Sequence, residues 1–138
     1  MQFTDSHCHL DFTEFHKGIA ELLLQCKAKN IHRIIVPGVN PEHWQRVLSL
    51  TEKHNTAVKL SCSLGIHPWF LILQDRISPT NYELAFQEQQ LKQAINKNRN
   101  KIVALGECGI DVFKAKKNTP NEQSFNENIQ LQQDLADK

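Results

Sequence analysis

The sequence predicts an α/β protein in which four strands, each followed by a helix, form one parallel sheet. Three observations lead there. Four separate stretches read as strands, some apolar throughout and some alternating apolar with polar residues. Between them apolar residues recur at three- and four-residue steps, the period of a helix with one buried face. The strand-plus-helix unit returns roughly every 30 residues, as α/β architectures require, and strands separated by helices pair in parallel because each crossover is right-handed.

Phe3-Thr4-Asp5-Ser6-His7-Cys8-His9-Leu10-Asp11 reads as the first strand and the turn that follows it. Extended backbone would put Asp5, His7 and His9 on one side and Thr4, Ser6 and Cys8 on the other. Phe12, Phe15, Ile19, Leu22, Leu23 and Cys26 then mark a helix that runs to about Lys29. Ile31 to Val36 is a short buried strand ended by Pro37-Gly38. Asn40-Pro41 starts the second helix, with Asn as cap and Pro at the first position, and Trp44, Val47, Leu48 and Thr51 form its buried stripe.

Val58, Leu60, Cys62 and Leu64 alternate with Lys59, Ser61 and Ser63, which predicts a third strand with one apolar and one polar face, leading into Gly65-Ile66-His67-Pro68-Trp69. A helix within Pro79 to Lys97 carries Tyr82, Leu84, Phe86, Leu91 and Ile95. Ile102 to Leu105 is the fourth strand, and it delivers Gly106-Glu107-Cys108-Gly109-Ile110-Asp111 at its end. Thr119 and Glu122 have the spacing of a capping box with Pro120 at the first position, so a last helix follows, carrying Phe125, Ile129, Gln132 and Ala136.

Composition narrows the class. The 138 residues are 40% hydrophobic and 22% charged, an ordinary soluble globular balance, so one domain over 1–138 is expected. A formal net charge of +1 gives no bulk attraction to nucleic acid or an anionic membrane, and a polyanion would need a local site. No apolar run reaches the length of a membrane span or signal segment, so a cytoplasmic location is expected. Cys8, Cys26, Cys62 and Cys108 are widely spaced and are expected as buried free thiols in a reducing compartment, with two disulfides as the alternative.

The chemistry-bearing residues gather at strand ends. His7 and His9 follow strand one, His67 follows strand three, and Glu107 and Asp111 follow strand four, so a parallel sheet brings them to one rim. Two imidazoles one residue apart can grip one ion, with Zn, Ni, Co or Mn suited to them. Glu107 would add an oxygen or bridge two ions, and a two-metal pair about 4 Å apart clamps both oxygens of a phosphate ester. Each residue also has a plainer reading: Glu107 as a turn residue, His67-Pro68 as a strand end, Asp111 as a solvated loop acid. His16, His32, His43 and His54 read as structural or exposed, and Trp69 beside His67 could flank a substrate.

Thr4 to Asp11, Val36-Pro37-Gly38, Leu64 to Pro68 and Leu105 to Asp111 together resemble, in order and spacing, the signature blocks of the TatD family of metal-dependent deoxyribonucleases in the amidohydrolase-like superfamily. Phe125, Ile129, Leu131 and Leu135 resemble the helix that precedes the family's fifth strand. The resemblance implies a TIM-like (β/α)8 barrel, with His7 and His9 on one metal and Glu107 shared by two ions, Mg, Mn or Zn. It implies His67 on the substrate side as a catalytic residue together with Glu107, Asp111 in substrate binding, and hydrolysis of phosphodiester bonds in DNA with exonuclease action.

A complete barrel takes about 250 residues, so four βα units would be its N-terminal half, without the two histidines and late aspartate that the family draws from later strands. Open sheet edges would then favour self-association. Two further readings stand beside the hydrolase: a truncated, inactive half-barrel that binds metal or nucleic acid, and a structural remnant with no specific ligand.

Overall fold

The computed structural model describes residues 1–15, 17–54, 57–71 and 81–137. Strands β1 (Phe3–Asp5), β2 (Ile31–Gly38), β3 (Lys59–Leu64) and β4 (Ile102–Leu105) form one sheet in that order, every pairing parallel. Helices α1 (Ile19–Ala28), α2 (Pro41–Lys53) and α3 (Asn81–Lys97) connect them, and α4 (Val112–Asn118) and α5 (Glu122–Ala136) follow β4. The predicted alternation of strand and helix is therefore present, as four parallel strands of a half-barrel.

The core lies between the sheet and its helices. Leu60, Cys62 and Leu64 of β3 and Ile34 and Val36 of β2 bury against Trp44 and Val47 of α2 and Leu23 of α1. Helix α2 starts as expected, with the Asn40 side chain accepting from the His43 N–H at 2.9 Å. The predicted polar face of β3 is also buried, since Ser61 and Ser63 are both enclosed. Parallel strands are covered on both faces, so alternation in sequence does not mean a solvated side.

Several boundaries move, each for a physical reason. β1 ends at Asp5, so His7 and His9 lie beyond it and strand alternation is not what places them together. The first predicted helix breaks at Gly18, whose φ of 120° interrupts it, leaving a 3-10 turn at Thr13–Phe15 and a shorter α1. β2 continues through Pro37 and Gly38, paired with Ser63 and Leu64. Ile35 faces β1, since its carbonyl accepts from Cys8 N–H, and Pro37 shares that direction past the end of β1, so its missing N–H costs no ladder bond.

Helix α4 lies where a loop is expected, because its buried contribution is the single residue Ala115 and no stripe announces it. Its end explains why the expected capping box fails. The Thr119 hydroxyl donates to the Ala115 carbonyl, and Asn121 caps α5 instead, accepting from Ser124 N–H at 2.9 Å. The buried face of α5 is Ser124, Asn128, Leu131 and Gln132; of the predicted Phe125, Ile129, Gln132 and Ala136 only Gln132 is fully buried, with Phe125 and Ile129 half-buried and Ala136 exposed.

All four cysteines are free thiols, but of the burial expected for them only Cys62 shows it in full; Cys8 and Cys26 are half-buried and Cys108 is exposed. Burial pushes the Cys62 thiol up to about 11. His16, Pro79 and the Tyr82 side chain lie outside the described part of the chain. Among the described residues no helix is long and apolar enough to cross a membrane.

Candidate metal centre

The segment after β1 is fixed by its own backbone. Asp5 Oδ1 accepts from the His7 N–H at 3.0 Å and bends the chain, and the Cys8 N–H donates to the Ile35 carbonyl of β2 at 3.1 Å. Cys8 packs against the core and Leu10 is buried within it. The two residues between and beyond the histidines thus turn inward, and His7 and His9 are left at the sheet's C-terminal rim.

Glu107 arrives from the other edge. Gly106 N–H donates to the Leu64 carbonyl at 2.9 Å, which carries the chain across the end of β3. This crossing passes so close to Gly65 that a Cβ there would lie 2.6 Å from the Glu107 carbonyl oxygen, so no side chain fits. Glu107 Oε1 then lies 3.2 Å from His7 Nε2, and Oε2 lies 3.6 Å from His9 Nε2.

One ligand atom from each of His7, His9 and Glu107 falls within 4.8 Å of the others, a grouping that could hold an ion. The donor chemistry fits a divalent metal: two imidazole nitrogens and a carboxylate oxygen are a common set for Zn and its neighbours. Both Nε2 atoms face the carboxylate, so the three groups converge without rearrangement of the fold.

His67, Asp111 and Trp69 stand beside this group, and His7, His67, Glu107 and Asp111 line one open cleft of about 770 Å³. The Trp69 N–H donates to His67 Nδ1 at 3.1 Å, which leaves the ring proton on Nε2. Burial lowers the pKa of His67, against the opposing pull of Glu107 and Asp111. Asp111 is more than the solvated acid that its loop position suggests. Its Oδ1 caps α4 by accepting from Lys114 N–H at 2.7 Å, and its Oδ2 accepts from the Trp69 indole. The Lys114 N–H, then the indole, hold its carboxyl below the ordinary aspartate value.

Gln132 and Asn128 support the cleft from α5, a role that sequence periodicity misses. Gln132 accepts from the Asp111 N–H at 2.6 Å and donates to Asn128 Oδ1, while Asn128 donates to the Leu71 carbonyl at 3.4 Å. One helix thereby ties the loop that carries Asp111 to the turn that carries Trp69. The readable signal was an amide pair spaced i, i+4 in an otherwise half-apolar helix.

Residues 4–138 match the family described as TatD related DNase. An uncharacterized metal-dependent hydrolase of Escherichia coli K12, YjjV, is 37% identical over 113 residues, covering 81% of this chain and 39% of that protein. A Buchnera aphidicola metal-dependent hydrolase is 33% identical over 133 residues, covering 94% and 44%. A mouse protein named putative deoxyribonuclease TATDN3 is 25% identical over 129 residues, covering 94% and 42%. The crystal structure of YJJV, a TatD homologue from E. coli, superposes with a TM-score of 0.68 at 34% identity, over 98% of this chain and 44% of that one. The chain thus spans less than half the length of these relatives.

Proposed function

Because this chain belongs to the TatD related DNase family, we propose that it forms the N-terminal half of a metal-dependent hydrolase barrel that cleaves phosphodiester bonds in DNA with exonuclease action. The observation that carries the reading is the convergence of His7 Nε2 and His9 Nε2 on the two oxygens of Glu107, at 3.2 and 3.6 Å. His7, His9 and Glu107 would hold the metal, Mg, Mn or Zn, with Glu107 the carboxylate shared should two ions bind. When bound, such ions polarise a phosphoryl oxygen and supply a nucleophile from water at neutral pH.

The residues of this chain do the rest. His67, neutral and protonated at Nε2, donates to an oxygen of the scissile phosphate. Asp111 keeps Trp69 upright beside it, and Lys114 Nζ, 4.3 Å over the Trp69 ring, lends positive charge to the substrate side of the cleft. Among the described residues β4 pairs on one side only, and its other edge would take further strands, supplied by a longer chain or by a second copy.

The test is stepwise shortening of an end-labelled DNA strand in the presence of Mn²⁺. The wild-type chain is expected to shorten it, and Glu107→Gln to abolish the reaction; equal cleavage by both would remove the proposal. The grouping of His7, His9 and Glu107 within 4.8 Å also fits a second reading, a half-site that binds metal or nucleic acid without cleaving. Stoichiometric metal with no product from the wild type would select it.

A further inference from the structure

We propose that Asp11 is the positioning residue of the metal centre: its carboxylate faces the Nδ1 edge of His9, to take the proton there once Nε2 of that ring is on the ion. The inference rests on the reading of His7, His9 and Glu107 as metal ligands. It concerns a residue outside that set, held by α2 rather than by the strand ends.

The Asp11 carboxylate is fully buried between α2 and the ring of His9. Its Oδ2 lies 2.8 Å from His43 Nδ1 and 3.8 Å from Arg46 Nε. Arg46 is in turn anchored through its guanidinium to Glu42 at 2.9 Å. A buried carboxylate is costly unless cationic or donor groups hold it, and arginine stays charged at any working pH. His43, which the sequence reads as structural or exposed, is structural, part of the frame behind the centre.

The other oxygen faces His9. Asp11 Oδ1 is 3.9 Å from His9 Nδ1, a buried nitrogen that makes no hydrogen bond among the described residues. Phe12 stacks on the imidazole, with ring centres 4.9 Å apart and planes 21° from parallel. One face and the Nδ1 edge of the ring are thus confined, and Nε2 is the nitrogen that faces Glu107. At 3.9 Å the contact with Asp11 is longer than a hydrogen bond. With Nε2 committed to an ion, Nδ1 would carry the ring proton and turn it to this carboxylate, since the partner of one imidazole nitrogen sets which nitrogen ligates.

The experiment is a long-range ¹H–¹⁵N spectrum of the histidine rings in the full chain titrated with Zn²⁺. The expected result is His9 protonated at Nδ1 and shifted at Nε2 by the metal; ligation through Nδ1 would overturn the inference. Asp11→Asn should weaken Zn²⁺ binding about 10- to 100-fold, the usual effect of losing such an outer partner, with the far-ultraviolet circular dichroism unchanged. Wild-type affinity in that variant would also overturn it. If Asp11→Asn does not fold, the wild-type spectrum decides alone. A wild type that binds no Zn²⁺ overturns both this inference and the ligand reading beneath it, whereas binding through Nδ1 overturns this one only.

Discussion

Asp111 shows how much of the cleft's chemistry depends on single side chains. Its two oxygens are committed to the Lys114 N–H and the Trp69 indole, and the carboxyl is held below the ordinary aspartate value, the Lys114 bond first and the indole second. The sign follows from linkage: a depressed carboxyl stabilises the fold at and above its unfolded value, and that contribution disappears as pH falls through the folded value. Trp69→Phe removes the indole donor, so the Asp111 midpoint, followed by carboxyl NMR, should move up toward the ordinary value while staying below it. A midpoint that does not move would mean the indole does not act on the carboxyl. At this scale His7, His9, His67, Glu107 and Asp111 were legible as residue types near strand ends. The alternation argument for His7 and His9 was not, because β1 stops at Asp5 and the inward turn of Cys8 and Leu10 does the placing. Phe12 illustrates the same limit: it belongs to the helical period in sequence, yet it is half-exposed and stacks on His9.

Among the elements, α5 departs most from its sequence signature. Its period was readable, but Asn128 and Gln132 occupy fully buried positions where periodicity calls for apolar residues. They are buried because they satisfy backbone groups of two loops, and a contact that spans 57 residues, as from Asn128 to Leu71, leaves no local trace. Gln132→Leu would keep much of the volume while leaving the Asp111 N–H and Asn128 Oδ1 without their partner, which costs about 1–3 kcal/mol of stability. Urea unfolding should show that loss, and an unchanged midpoint would mean the amide pair is passive. Helix α4 was invisible for the opposite reason, since a seven-residue helix with one buried residue has no period to read. Helix α2, by contrast, has its cap, its proline and its stripe all in agreement, and it forms as expected.

Across the whole molecule, the four parallel strands follow from the alternation of strand and helix, whereas their sequential order is seen only in the structure, and the half-barrel likeness extends over 98% of the chain in the E. coli homologue's structure. What completes the sheet is not written in four βα units. Among the described residues β4 is paired on one side, and Leu105, 69% exposed, is a large apolar side chain left at that margin. If a second copy covers this edge, sedimentation velocity should show dimer growing with concentration; a single monomeric species across the range would leave pairing to a longer chain. The central question is whether residues about a hundred apart in sequence form one metal centre. The most direct measurement is calorimetric titration of Zn²⁺ into the wild-type chain and into Glu107→Gln. Saturable binding by the wild type, weakened at least about 10-fold by the substitution, is the predicted result, since one of the three donors is then neutral. Equal binding by the two proteins would contradict the assignment of Glu107 to the centre.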